Sequence, residues 1–478
     1  MPETTTALNL IDGSWTGSPS VERRNPARPD EVVVTAPSSS ASDVDAALAA
    51  AAAAQPGWAA LPPPARGAIL MDAADILRAR HEDVARDLVA EEGKTLAEAR
   101  GEVRRAIDVL RYFGGQGWLT EGDVLPSATP GTTVFTRREP LGVAGLITPW
   151  NFPIAIPAWK TAPALVSGNT VVLKPAELTP LTASNLAAAL VEAGLPAGVL
   201  NVVHGRGSVV GDALARDPRV AALSFTGSTR VGLGLADVMN ARRGRVQLEM
   251  GGKNGYLVLD DADVAAAASI VAAGGFGLTG QACTATSRVY CTPGVREAFV
   301  EALAKAAESV VVGDGLAPGT TMGPVVSYAQ LAKDVSAVSE AVARGGRVVA
   351  GGSSAEGLAF RPTVVTDLAA DDPLVRDEVF GPVVAVLEVP DLDAGIAAVN
   401  DSAYGLTAGI CTTSLSAAHE FAARAQVGVV KVNRPTAGLD LNVPFGGVKD
   451  SSTNTFREQG PRATDFYTWG KTVYLGHS

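Results

Sequence analysis

The sequence predicts an α/β protein built on parallel sheets. Three observations point there. Short apolar strands alternate with helices between residues 143 and 260, a second alternating region runs from roughly 254 to 448, and β-rich segments at 132–136 and 467–475 lie outside both. Alternation of this kind argues for a parallel sheet with helices on its faces, because parallel strands need a crossover and the helix supplies it.

The first 120 residues read as helical after a short N-terminal lead-in. The alanine-rich run 46–54 is a helix by propensity, and 66–91 repeats apolar residues at helical spacing with charges between. Around 121–143 the pattern turns β-rich: Thr132, Thr133, Val134, Phe135 and Thr136 follow Pro130-Gly131, which reads as a hairpin or an extended arm. Strands are predicted at 143–147, 170–173, 199–203, 221–225 and 246–248, with helices at 182–193 and 209–216. Tyr467, Val473 and Tyr474 mark a closing strand. No period of about 20–50 residues indicates a solenoid.

A chain of 478 residues implies about three domains and a core large enough to need no staples. Its net charge of -11, from 39 basic and 50 acidic residues, disfavours broad nucleic-acid binding and adhesion to anionic membranes. Cys283, Cys291 and Cys411 cannot make a disulfide framework, so a reducing compartment, the cytoplasm, is expected. The N-terminus lacks the basic and apolar regions of a secretory signal. Of the two long uncharged stretches, 141–159 is broken by Pro149, Pro153 and Pro157, and 264–287 reads as a buried helix running into a polar loop, so neither is a membrane span. The four histidines are scattered and no HExxH or CxxC pair exists, so neither a metal site nor a Ser-His-Asp triad is expected.

Cys283 follows a glycine-rich stretch in GQACTATSR, where small neighbours leave a thiol accessible as a nucleophile, or where it is simply a small buried hydrophobe. Glu249, at a strand end before Gly251-Gly252, can act as a general base or be a solvated loop carboxylate. Gly227 and Ser228 lie in FTGSTRVG, which follows a strand and opens a helix; its amides can meet a phosphate or form an ordinary capped turn. The glycines at 205–211 match a dinucleotide fingerprint only weakly. Lys174 and Glu177 sit at the carboxyl end of a predicted strand, suited to ribose hydroxyls or to a surface ion pair.

Taken together, PWNFP at 149–153, KPAE at 174–177, FTGST at 225–229, EMGGK at 249–253, GQAC at 280–283, EVFGP at 378–382 and PFGG at 444–447 resemble the NAD(P)-dependent aldehyde dehydrogenase superfamily, in order and over nearly the whole chain. EMGGKNG, GQACTATSR, KVNRPTAGLDLNVPFGG and DFYTWGKTVY look most like its bacterial 2-oxoglutarate semialdehyde (2,5-dioxovalerate) branch, with Met250 and Gly255 as mild departures. The resemblance implies the aldehyde dehydrogenase fold: an NAD(P)-binding domain from 1–121 and 141–251, a catalytic domain at 252–448, a return segment at 449–467, and an oligomerisation arm from 122–140 and 468–478. It implies a homodimer or homotetramer. It also implies that Cys283 attacks an aldehyde to give a thiohemiacetal and then a thioester, that Asn151 and the Cys283 amide hold the oxyanion, and that Glu249 activates the hydrolytic water. Trp150, Lys174, Glu177, Gly227, Ser228, Glu378 and Phe380 match cofactor positions. Glu177 favours NAD, since a carboxylate accepts from a ribose 2′-OH and repels a 2′-phosphate, while NADP stays open.

A carboxylate-bearing semialdehyde calls for a cation near the tunnel, and Arg434 and Arg288 are the candidates, each with a structural pairing as the alternative. Ala158-Trp159-Lys160 lacks the Arg found there in succinic semialdehyde dehydrogenases, which lowers that reading. Aromatic or aliphatic aldehydes remain alternatives, as do a CoA-acylating enzyme and a non-catalytic binding protein. Glu249 argues against CoA acylation, and Cys283, Glu249 and Asn151 together argue against an inactive descendant.

Overall fold

The computed structural model describes residues 5–119 and 122–477. Positions 1–4, 120, 121 and 478, which touch the N-terminal stretch and the outer limits of the expected segments 1–121 and 468–478, lie outside the described residues.

Five parallel strands form the first sheet in the order Arg245–Glu249, Val220–Thr226, Val143–Ile147, Thr170–Lys174 and Leu200–Val202. Val143–Ile147 is buried at every position, which is why it reads as an unbroken apolar run. The chain starts this sheet in the middle, builds outward to Leu200–Val202, then crosses to Val220–Thr226 on the other side. That reversal opens a crevice at the carboxyl ends of Val143–Ile147 and Val220–Thr226, the place where such sheets bind ligands.

The second sheet runs Arg347–Ala350, Thr363–Thr366, Val383–Glu388, Thr286–Cys291, Asn254–Val258, Thr407–Cys411 and Val429–Val432, parallel except for its first edge strand. Outside both, Thr132–Pro140 pairs antiparallel with Thr468–Gly476 along its whole length and with Val124–Leu125 on its other side.

The N-terminal region differs from its expected helical character. Residues 5–37 carry five strands. Asn9–Ile11 and Ser14–Thr16 form a hairpin on the edge of the first sheet, turned at Asp12 (φ 51°) and Gly13 (φ 74°), the left-handed pair that suits a two-residue hairpin turn. The region 66–91 is two helices, Pro63–Ala79 and His81–Glu92, divided at Arg80. Helix Leu96–Gln116 opens with a reciprocal cap: the Glu98 amide donates to Thr95 Oγ1 (3.4 Å) and the Thr95 amide to Glu98 Oε2 (2.9 Å). No described helix is long and apolar enough to cross a membrane.

Candidate active site

Cys283 sits on a loop held from several sides. After helix Val264–Phe276 the chain passes through Leu278 (φ 54°) and Thr279 (φ 56°), two successive left-handed residues with side chains, a conformation kept only where surroundings enforce it. Gly280 (φ 65°) completes the turn, and any Cβ there would collide with the Gly381 carbonyl. The Leu278 amide donates to Glu98 Oε1 (2.7 Å), so the carboxylate that caps helix Leu96–Gln116 also fixes this bend. The Val326 amide donates to Gln281 Oε1 (2.9 Å), and Asn254 Nδ2 donates to the carbonyls of both Cys283 and Ala285 (2.8 Å each). Burial pushes the Cys283 thiol up to about 12, with the charges of Glu249, Glu378 and Glu458 adding to it.

Asn151 lies in the turn after strand Val143–Ile147, at the crevice. Its Nδ2 donates to the Gln281 carbonyl (2.8 Å), which ties it to the cysteine loop and engages one of its two amide hydrogens. Its own carbonyl accepts from Lys94 Nζ (2.7 Å). Lys94 also donates to Glu102 Oε2 (2.6 Å), while Glu102 Oε1 accepts the Ile154 and Ala155 amides (3.0 and 3.2 Å) at the start of helix Ala155–Val166. A buried ion pair therefore sets the position of the 149–155 turn.

Glu249 ends strand Arg245–Glu249 and is 2 % exposed, yet neither carboxyl oxygen has a hydrogen-bond partner among the described residues. A Cβ at Gly446 would come within 2.6 Å of Glu249 Oε1, so this glycine makes room for the carboxyl. Burial holds Glu249 well above the usual carboxylate range and the charge of Glu458 adds to it, against the opposing pull of Lys160 and Arg457. Glu458 is itself anchored by Lys160 and by Trp159 Nε1 (2.8 Å).

Two cavities meet at Cys283. One, of about 210 Å³, is lined by Trp150, Asn151, Gly227, Ser228, Glu378 and Phe380 among others. The other, of about 340 Å³, runs past Phe152, Trp159, Phe445 and Gln459. On the first side, Gly227 must lack a side chain because a Cβ would stand 2.5 Å from Phe225 Cζ, and Ser228 caps helix Thr229–Ala241 with its hydroxyl unspent on the helix. An open helix N-terminus of this kind fits a phosphate. Glu378 accepts the Gly252 amide (2.9 Å), and the Trp150 and Phe380 rings meet edge to face at 5.5 Å. Farther along the crevice, Lys174 Nζ lies 3.9 Å from Glu177, whose Oε1 accepts the Gly207 amide (3.0 Å). The residues present thus fit an extended, phosphate-bearing cofactor.

A sequence profile of the aldehyde dehydrogenase family matches residues 15–473. The chain belongs to the aldehyde dehydrogenase family. It is 48 % identical to an alpha-ketoglutarate semialdehyde dehydrogenase of Haloferax volcanii over 98 % of each chain. Among solved structures of the family it is similar to an NAD-dependent aldehyde dehydrogenase of Sinorhizobium meliloti (TM-score 0.96, 36 % identity, covering 99 % of this chain and 95 % of that one). It is also similar to an NADP-dependent enzyme of E. coli (TM-score 0.95, 35 % identity, covering 99 % and 98 %).

The structure brings Asn151, Trp150, Gly227, Ser228, Glu378 and Phe380 to Cys283, with Glu249 close enough to act on the thiol electrostatically. The two arginines expected at the substrate do not join them. Arg288 is 2 % exposed, and its guanidinium is spent on the Lys253, Ala398, Val399 and Asp401 carbonyls and the Tyr290 hydroxyl, because strand Thr286–Cys291 points it into the second sheet's packing. Arg434 is exposed and is absent from the lining of both cavities; its backbone carbonyl accepts from Tyr256. The sequence reading missed Lys94, Glu102, Lys160 and Glu458, whose charges look like ordinary surface residues until the chain is folded. Among the described residues no cluster of three or more His, Cys, Asp or Glu is placed to hold a metal.

Proposed function

We propose that this enzyme oxidises a carboxylate-bearing semialdehyde, 2-oxoglutarate semialdehyde, to the corresponding acid with NAD(P)+. The observation that carries the reading is the meeting of two cavities at Cys283, with an amide donor in the lining of one and a buried carboxyl close enough to act on the thiol electrostatically. The Haloferax relative supports the choice of substrate.

Cys283 gives its thiol proton to water, and the Sγ thiolate attacks the aldehyde carbon to form the oxyanion of a thiohemiacetal. The free Nδ2 hydrogen of Asn151 and the Cys283 amide hold the negative oxygen, a contribution of about 2.7–4 kcal/mol to the barrier per donor. Trp150, Gly227, Ser228, Glu378, Phe380, Lys174 and Glu177 would hold NAD(P)+, which would supply the hydride acceptor needed to reach a thioester. Glu249, whose oxygens have no other partner, takes the proton of the water that releases the acid. Glu177 supports NAD as the preferred form, and Lys174 beside it leaves room for NADP.

Homodimers or homotetramers are supported by the Thr468–Gly476 ribbon, which presents Trp469, Tyr474 and Leu475 to solvent. A cytoplasmic location is supported by three unpaired thiols.

Acidic, aromatic and aliphatic aldehydes, each tried with NAD+ and NADP+, test the reading. Reduced cofactor should form fastest with 2-oxoglutarate semialdehyde, and Cys283→Ala should abolish it. A Cys283→Ala protein that still oxidises the aldehyde would remove the covalent route.

A further inference from the structure

The larger of the two cavities at Cys283 is lined in part by residues that no motif marks. Arg105 is the one cation among its described lining residues. The two acids in the same wall are already engaged: Glu102 holds Lys94 and two amides, and Glu98 holds Thr95 and the Leu278 amide. Arg105 donates Nη1 to the Leu439 carbonyl (3.1 Å) and Nη2 to the Asp440 carbonyl (3.0 Å) and to Gln459 Oε1. Its Nε–H and its second Nη1 hydrogen have no partner among the described residues.

Gln459 strengthens the case independently. It is 1 % exposed, lines the same cavity, and sits in the left-handed region at φ 59°. Its Oε1 is taken by Arg105, and its Nε2 has no hydrogen-bond partner among the described residues. A buried donor left idle in a strained residue is the mark of a group waiting for a ligand.

We propose that Arg105 and Gln459 together bind the 2-oxo-carboxylate end of the substrate, making them the pair that selects a charged semialdehyde over an uncharged aldehyde. This inference rests on the semialdehyde reading above. A carboxylate offers only acceptors and Arg105 and Gln459 offer idle donors, so the chemistry is complementary. The rings of Phe152, Trp159 and Phe445 supply the apolar wall for the methylenes between that end and the aldehyde. An uncharged aldehyde would leave the donors unpaired, which is how a polar site rejects an analogue that lacks the polar group.

The test compares kcat/KM for 2-oxoglutarate semialdehyde and for pentanal in the wild type, Arg105→Met, Arg105→Lys and Gln459→Glu. Arg105→Met should lower the ratio of the two about 30-fold or more, through KM for the semialdehyde. Arg105→Lys should recover part of it by restoring the charge, which a merely structural arginine would not predict. Gln459→Glu keeps a partner for Arg105 but replaces the idle donor by an acceptor, so it should lower the ratio as well. It should also weaken competitive inhibition by 2-oxoglutarate. A wild type indifferent to the carboxylate overturns the substrate reading and this inference together. A wild type that prefers the semialdehyde, with the preference intact in folded Arg105→Met and Gln459→Glu, overturns the assignment of these two residues alone.

Discussion

Glu102 and Glu249 are buried to a similar degree, 5 % and 2 % exposed. Glu102 is saturated: one oxygen takes two amides at the start of helix Ala155–Val166, the other takes Lys94 Nζ at 2.6 Å. Glu249 makes no close hydrogen bond on either oxygen, and only the Gly447 amide approaches it to favour the charged form. The first carboxylate fixes the turn that carries Asn151, and the second is left with a proton it can exchange. Burial by itself therefore separates nothing; what separates a scaffold carboxylate from a candidate base is whether its lone pairs are already spent.

The sharpest way to break this contrast is Glu249→Gln. Steady-state kcat should fall about 10²–10⁴-fold, while a first burst of NADH near one per active site survives, because only release of the acyl group needs the base. Loss of the burst in a folded protein would take Glu249 out of that role. Because Glu249 holds its proton well above the ordinary range, wild-type kcat should climb as pH rises through its titration, and the Gln variant should lose that limb. Stability should show the converse. Folding favours the protonated carboxyl, so its stabilising share is complete below the unfolded value and is lost as pH rises through the folded one. Thermal melts should then find Glu249→Gln level with the wild type in acid and more stable at alkaline pH.

Glu102→Gln should do the opposite. It removes the close ionic partner of Lys94, leaving Glu92 at 3.8 Å, and should cost up to about 3–5 kcal/mol of stability, read by denaturant unfolding. An unchanged midpoint would show that the pair does not hold the turn. The smallest effect is expected at Glu92, which burial raises to about 7 despite the pull of Lys94. By the same sign, its contribution is full below the usual glutamate value and lost between there and about pH 7. Glu92→Gln should therefore match the wild type near pH 4 and exceed it above pH 8 by no more than about 3 kcal/mol. Melting curves at the two pH values decide it.

Much of the fold and part of the site were legible because their physics is local. Val143–Ile147 announces a central parallel strand by being apolar throughout, and FTGST announces a strand-to-helix turn by its small and hydroxylated residues. Asn151, Glu249 and Cys283 were found through motifs. The N-terminal hairpin carried its signal in Asp12-Gly13, but strands of three residues are too short for alternation to show. Lys94 and Glu102 were out of reach for a different reason: EEGKTLAEARGE is rich in charge, and it is tertiary contact with 151–155 that engages these two side chains. The arginines make the same point. Arg288 and Arg105 are chemically identical in sequence, yet one is consumed by backbone carbonyls and the other keeps donors free.

The two cavities have Cys283 and Ile156 in common, while their remaining linings differ. On the function proposed above, the nucleotide and the acyl group would therefore occupy differently lined spaces that touch at the sulfur.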